Sequence, residues 1–289
     1  MAADAPGRLG SGEPSATAMG VAIRRAAHQL IDQPLVFADP LAAKIIGSSA
    51  LERLKAELEH HRHPFNLALR AHVVARSRYA EDRLAEAHAR GVRQCLVLGA
   101  GLDTFAWRNP YPDLTVFEVD HPSTQAWKRA CLAAMGAAEP DTLVFAPVDF
   151  QSQSLAEGLS AAGFAWDRPA FVSWLGVTMY LPEAAVMRTL GDLAALPAGS
   201  EAVFDFSLSP EGMEPLARAV QEALAARVAA AGEPFLSAFD PEALAGQLKA
   251  LGFLEVEILD GRGLNRLYFE GRTDGLRLAD ASRLARARL

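Results

Sequence analysis

The chain has 289 residues, 51% hydrophobic and 22% charged, with a formal net charge of −7. That length corresponds to one large domain or a domain with an elaboration, and the composition is that of an ordinary globular protein. The negative balance argues against a nucleic-acid backbone as the main partner, because phosphate binding requires a clustered basic face.

Two cysteines, Cys95 and Cys131, are too few for a disulfide framework and are not spaced as a CxxC pair. Cys95 lies in an apolar run and reads as a core residue. No stretch approaches the roughly 18 apolar residues that cross a bilayer. No membrane partner is expected, and without an apolar signal-peptide core the default location is cytoplasmic. The first fifteen residues, rich in Gly, Pro, Ser and Ala, read as a flexible leader.

Helical spacing of apolar residues begins over 16–32 (Met19, Ala22, Ile23, Ala26, Ala27, Leu30, Ile31) and is interrupted between Pro34 and Pro40. It returns over 41–60 and again over 66–90, the latter ending before Gly91. Residues 16–90 therefore predict a helical N-terminal cap, and 91–289 a second region packed with it as one structural unit. From residue 94 the pattern changes. Short apolar runs at Gln94–Leu98, Thr115–Val119, Thr142–Val148, Phe171–Leu175 and Ser200–Phe206 predict strands. Helices are expected between and after them, over Pro122–Met135, Ser152–Ala162, Pro182–Leu196 and Glu211–Ala231. Pro241–Leu251 predicts a further helix, with strands at Glu255–Leu259 and Asn265–Glu270. The arginine-rich end, 277–289, reads as a solvated terminal helix.

This alternation predicts an α/β fold with a mostly parallel sheet, helices on both faces and an antiparallel C-terminal strand. In such sheets ligands bind beyond the carboxyl ends of the strands, at the switch point in strand order. The first strand ends in Gly99-Ala100-Gly101, where the lack of Cβ atoms lets backbone approach a ligand. Glu118 and Asp120 follow Gly99 at the end of the next strand, spaced for an acid that accepts hydrogen bonds from ribose hydroxyls. Asp149 and Phe150, after the third strand, are placed to hold and cover an adenine. A dinucleotide site expects a third glycine where Thr104 stands, which favours a methyl donor over NAD.

The segments GAGLDTFAWR (99–108) and VFEVDHPSTQAWKR (116–129) resemble the leucine carboxyl methyltransferase family, and within it the bacterial S-adenosylmethionine-dependent O-methyltransferases. SATAMGVAIRRAAHQLIDQPLVFADPLA (15–42), ARSRYAED (75–82), PVDF (147–150) and FVSWLGVTMYLP (171–182) resemble further family elements in order. The resemblance implies a class I methyltransferase (Rossmann-like) fold, S-adenosyl-L-methionine as cofactor and S-adenosyl-L-homocysteine as product. It implies that Gly99 and Gly101 approach the amino-acid end of the donor. Asp120 would bind the ribose, with His121 beside it. Asp149 and Phe150 would bracket the adenine. Arg76 would pair with the donor carboxylate, and Arg25 matches a basic position of the N-terminal element next to Arg24. Leu175 stands where family members often have a donor-contacting Glu.

Methyl transfer needs its two reacting atoms held at near-attack distance, and a base only where the acceptor is not already ionised. His121 and Tyr180 are the candidates for catalytic roles, and Arg266 for steering an anionic acceptor. His60, His61 and His63 read as a solvated helix end rather than a metal site. The four tryptophans read as packing. The leading expectation is an O-methyltransferase acting on a carboxylate or hydroxyl of a small molecule. A protein C-terminal carboxyl methyltransferase, an NAD-binding reductase and a non-catalytic donor-binding protein are the alternatives. A homo-oligomer is compatible with the sequence, which does not identify the acceptor.

Overall fold

The computed structural model describes residues 15–148, 153–213, 215–230, 232–279 and 283–289. The expected leader, apart from Ser15, and the adenine-bracketing pair Asp149 and Phe150 lie outside the described residues.

Helix α1 (Ala16–Ile31) starts at Ser15, whose side chain accepts the Ala18 N–H, and stops at the extended Asp32. The chain then folds back through a buried turn. His28 Nε2 accepts the N–H groups of Val36 (3.0 Å) and Phe37 (3.2 Å), so its proton sits on Nδ1 and is donated to Asp32 at 2.8 Å. Arg70 completes the knot, with its Nε and Nη2 on the two Asp32 oxygens at 2.7 and 2.9 Å. The single helix expected over 41–60 is three short ones, α2 (Ala42–Ile45), α3 (Gly47–Ala56) and α4 (Leu58–His61). The break between the first two falls at Gly47, whose φ of 78° lies in the left-handed region. Helix α5 (Pro64–Ala89) carries Pro64 at its first turn, where the missing N–H costs nothing.

The chain continues as β1 (Gln94–Leu98), α6 (Phe105–Arg108), β2 (Thr115–Asp120), α7 (Pro122–Ala134), β3 (Leu143–Pro147), α8 (Leu155–Ala161), β4 (Ala170–Trp174), α9 (Glu183–Ala194) and β5 (Glu201–Phe206). Then come α10 (Pro215–Ala230), α11 (Pro241–Leu251), β6 (Glu255–Asp260), α12 (Gly261–Tyr268) and β7 (Arg283–Arg288). The sheet order is β3-β2-β1-β4-β5-β7-β6, with β7 antiparallel to both neighbours. β1 and β5 are buried along their whole length, as strands covered on both faces must be. One face packs Leu96, Phe117, Val172 and Phe204 under α8, α9 and α11, and the other packs Cys95, Val97 and Phe171 under α5. Each such large apolar side chain contributes roughly 1.5–3 kcal/mol.

Two expectations fail near the C-terminus. Asn265–Glu270 is not a strand: most of it lies in α12, whose N-cap Asp260 accepts the Gly263 N–H at 2.7 Å. The arginine-rich end is not a helix. It forms β7, inserted between β5 and β6, with Leu284, Ala285 and Ala287 buried. Arg286 donates to the buried Glu201 at 2.7 Å, and Arg288 to Glu255 at 3.1 Å. These acids belong to adjacent strands and satisfy charges that looked solvated in the linear sequence.

The knot at Asp32 gives a stability test. Arg70→Ala leaves a buried carboxylate short of its cation and is expected to cost about 3–5 kcal/mol in denaturant unfolding. Arg62→Ala, on the exposed surface, is expected to stay within about 0.5 kcal/mol of the parent. A loss below about 1 kcal/mol for Arg70→Ala would show that the knot does not hold the cap.

Candidate active site

The switch point lies between β1 and β4, and the turn leaving β1 is stitched to β2. Gly99 and Ala100 donate to Val119 O at 2.8 and 3.2 Å. Gly99 has φ 66° and Gly101 φ 45°. Gly101 N–H donates to one oxygen of Asp120 at 2.6 Å and His121 N–H to the other at 2.7 Å. Burial pushes the Asp120 carboxyl up, and these two donors only partly offset it.

Glu118 points from the same face of β2 but has no exposure, and its carboxylate takes Lys128 Nζ at 2.5 Å. Burial raises it to about 7 despite Lys128. Of the two acids spaced for a ribose, only the half-buried Asp120 is accessible to a ligand.

The cap closes over this turn. Ala18 of α1 comes within 3.2 Å of where a Cβ on Gly101 would lie. Arg25, buried, binds Asp39 at 2.5 Å, Asp103 at 2.9 Å and the Thr104 hydroxyl at 3.0 Å. Its guanidinium thus ties α1 to the loop after β1. Arg24, one residue earlier, meets no carboxylate among the described residues. Its Nη1 donates only to Gly20 O, at 2.9 Å. Burial, with Arg227 and Arg76 nearby, lowers it to about 10.

Asp205, near the end of β5, organises the opposite wall. It is 1% exposed. Arg76 Nη1 reaches its Oδ2 at 2.5 Å, His72 Nε2 lies 3.1 Å from the same oxygen, and Gly176 N–H donates to Oδ1 at 2.5 Å. Burial opposes the charge, but Arg76, His72 and that N–H hold the carboxyl well below the ordinary range. A Cβ at Gly176 would lie 2.6 Å from Arg76 Nη2, so only glycine lets the loop pass the guanidinium. Thr178 Oγ1 donates to the Asp205 carbonyl at 2.6 Å.

Tyr180 follows on this loop. It is half-buried, faces Thr17 of α1, and packs edge-on against Phe235 with ring centroids 5.4 Å apart. Burial raises its phenol, so at neutral pH it is a protonated hydroxyl rather than a base. Thr17 in turn hydrogen-bonds the buried Glu233 through both its N–H and its hydroxyl.

His121 caps α7, with Nδ1 2.7 Å from the Ser123 hydroxyl, which commits that nitrogen to the helix end. Leu175 turns into a hollow of about 20 Å³ beside Ser77, Glu81, Asp103 and Ser173, large enough for about one water. Arg266 is exposed on α12. Among the described residues no cluster of His, Cys, Asp or Glu is grouped to hold a metal ion.

The family profile described as leucine carboxyl methyltransferase matches residues 18–194. The chain belongs to the leucine carboxyl methyltransferase family. YktD of Bacillus subtilis, provisionally named an S-adenosyl-L-methionine-dependent methyltransferase, is 30% identical over 91% of this chain and 94% of its own length. A similarly named protein of Mycobacterium avium is 30% identical over 83% of this chain and 78% of its own. The fold matches a Thermobifida fusca structure described as a methyltransferase, with TM-score 0.60, 19% identity, and 97% and 96% of the two chains covered. A DUF574 protein of Streptomyces avermitilis has TM-score 0.54 at 17% identity, covering 86% of this chain and 96% of its own.

In this family member the structure brings together Gly99, Gly101, Asp120, Arg76 and Tyr180, and commits Arg25 to the cap. Sequence reasoning passed over Asp205, Thr17, Val177 and Glu233. Asp205 carried a signal: an acid between Phe204 and Phe206 in a fully buried strand demands a buried partner.

The glycine turn yields a test. A Cβ on Gly99 would lie 2.3 Å from Val177 Cγ2, and the positive φ adds strain. Gly99→Ala is expected to lower unfolding stability by about 1–3 kcal/mol. Adding Val177→Ala should recover part of that loss in a double-mutant cycle. Strict additivity would show that Val177 does not pack on the turn.

Proposed function

We propose that this S-adenosylmethionine-dependent methyltransferase methylates a hydroxyl or carboxylate oxygen of a small molecule in the cytoplasm. The observation carrying the reading is Asp120. It is a half-buried carboxylate at the end of β2, held by the Gly101 N–H of the turn leaving β1, while the competing acid Glu118 is fully buried against Lys128. No described helix is long and apolar enough to cross a membrane.

The residues present fit the donor chemically. Asp120 retains lone pairs for ribose hydroxyls beyond those used by Gly101 and His121. Arg24, lacking an acid partner, and Arg76, aimed by Asp205, supply positive charge for the donor carboxylate. Arg25 supports the site by fixing α1 and leaves anion binding to its neighbour. S-adenosylmethionine supplies a methyl group on a sulfonium whose departure leaves a neutral thioether. The protein's task is therefore to orient and to exclude water. Val177 and Ala18 lie over the glycine turn, which sets the loop after β4 and the first turn of α1 beside the proposed donor. The Tyr180 hydroxyl, protonated at neutral pH, is suited to donating a hydrogen bond to an acceptor oxygen rather than to removing its proton.

Calorimetric titration tests this directly. S-adenosylmethionine is expected to bind saturably, and Asp120→Ala to weaken it by about tenfold or more, about 1.4 kcal/mol. NADH is expected not to bind. Binding of NADH, or donor binding indifferent to Asp120→Ala, would overturn the reading.

A further inference from the structure

A second hollow lies beyond β5. The stretches on either side of α10 are fastened to each other, Phe239 N–H to Ser207 O at 2.8 Å and Ser209 N–H to Phe239 O at 3.0 Å. The second stretch is also fastened to the loop carrying Tyr180, through Leu236 N–H to Met179 O at 2.7 Å and Ser237 Oγ to Thr178 O at 2.9 Å. Helix α10 stands over them, with Gln221 Nε2 donating to Leu208 O at 2.9 Å. Between helix and stretches is a cavity of about 280 Å³.

Its walls are mostly apolar: Met213, Ala225, Phe235, Leu236 and Ala238. Leu236, one of these residues, is 54% exposed. The charged groups are Arg218 and Glu222, one helical turn apart, both exposed and opposite in sign. Their opposite signs leave the lining itself with no net charge. Gln221 spends its Nε2 on the backbone, and its Oε1 has no protein partner among the described residues. That oxygen can accept a hydrogen bond from a ligand. Phe235 is the shared wall, lining the cavity while its ring contacts Tyr180.

We propose that this cavity holds the body of the methyl acceptor, and that the acceptor is a neutral, ring-bearing small molecule with a hydroxyl group. The inference rests on the methyltransferase reading and narrows its acceptor class. The volume falls just under the roughly 300–1,000 Å³ of drug-sized ligand sites and suits one or two rings. A flat ring gains edge or face contact with Phe235 and contact with the Met213 thioether. A carboxylate in the same place would lose water without gaining an uncompensated cation. The position beyond a strand's carboxyl end, beside Tyr180, puts the bound ring next to the transfer site.

The test uses 2-naphthol as a neutral bicyclic probe and 2-naphthoate as its anionic counterpart, each titrated into the full-length protein. 2-Naphthol is expected to bind, and 2-naphthoate to bind at least about tenfold more weakly. Ala225→Phe, which fills the cavity from α10, is expected to weaken 2-naphthol at least about tenfold while leaving S-adenosylmethionine affinity unchanged. Ala238→Leu fills it from the opposite wall and should repeat the result if the first variant disturbs the helix. No binding of 2-naphthol, binding that neither filling variant reduces, or preference for 2-naphthoate would overturn the proposal. Failure of S-adenosylmethionine alone, with 2-naphthol still bound in the cavity, would overturn its assignment to a methyl acceptor and leave an apolar ligand site. The two failures are thus distinguishable.

Discussion

A carboxylate buried away from water must be surrounded by donors, and Asp205 draws three groups from two parts of the protein to itself for that reason. Arg76 arrives from α5, Gly176 from the loop after β4, and His72 from one turn earlier on α5. Each contact sets something the site depends on. Arg76 cannot swing freely, and the loop leading to Tyr180 must leave β4 through a glycine. Thr178 is drawn to the same backbone. Removing the charge would release the arginine and the loop together, so the wall of the cleft behaves as one unit.

The opposite wall follows the same logic with the signs exchanged. Arg25 is a buried cation, and Asp39, Asp103 and Thr104 gather around it. Asp39 comes from the turn inside the cap and Asp103 from the loop after β1, so the network joins the cap to the sheet at the point where ligands bind. Arg24 is what remains. It sits one residue away on α1, half-buried and without an acid, with Arg76 and Arg227 near enough to repel it. A cation in that predicament is stabilised by an incoming anion. On the proposed reading that anion is the donor's carboxylate.

Much of this was legible in the sequence. The five strands of the doubly wound half are apolar runs bounded by turn residues, and they appear where periodicity places them. The glycine turn and its acid at the end of β2 were also readable. What was hidden depends on long-range pairing. The arginines of β7 look solvated until Glu201, Glu255 and Glu257 come alongside from neighbouring strands. The α12 segment looks like a strand because Leu267 and Phe269 alternate with polar residues, while the capping Asp260 lies just outside that window. Adjacent Arg24 and Arg25 cannot be told apart by composition. Roughly 100° of helix rotation separates them, and that alone sends one to Asp103 and leaves the other at the cleft. Glu118 and Asp120 share a strand face, but Glu118 lies in the buried middle of β2 against Lys128 of α7 while Asp120 stands at its half-exposed end.

The proposed donor position lies between the glycine turn, α1 and the loop after β4. Amide hydrogen exchange with and without saturating S-adenosylmethionine tests it at residue level. Added protection is expected in three separate segments: residues 17–24, 99–101 and 176–180. Saturable binding that protects none of these, or that protects only another surface, would contradict it.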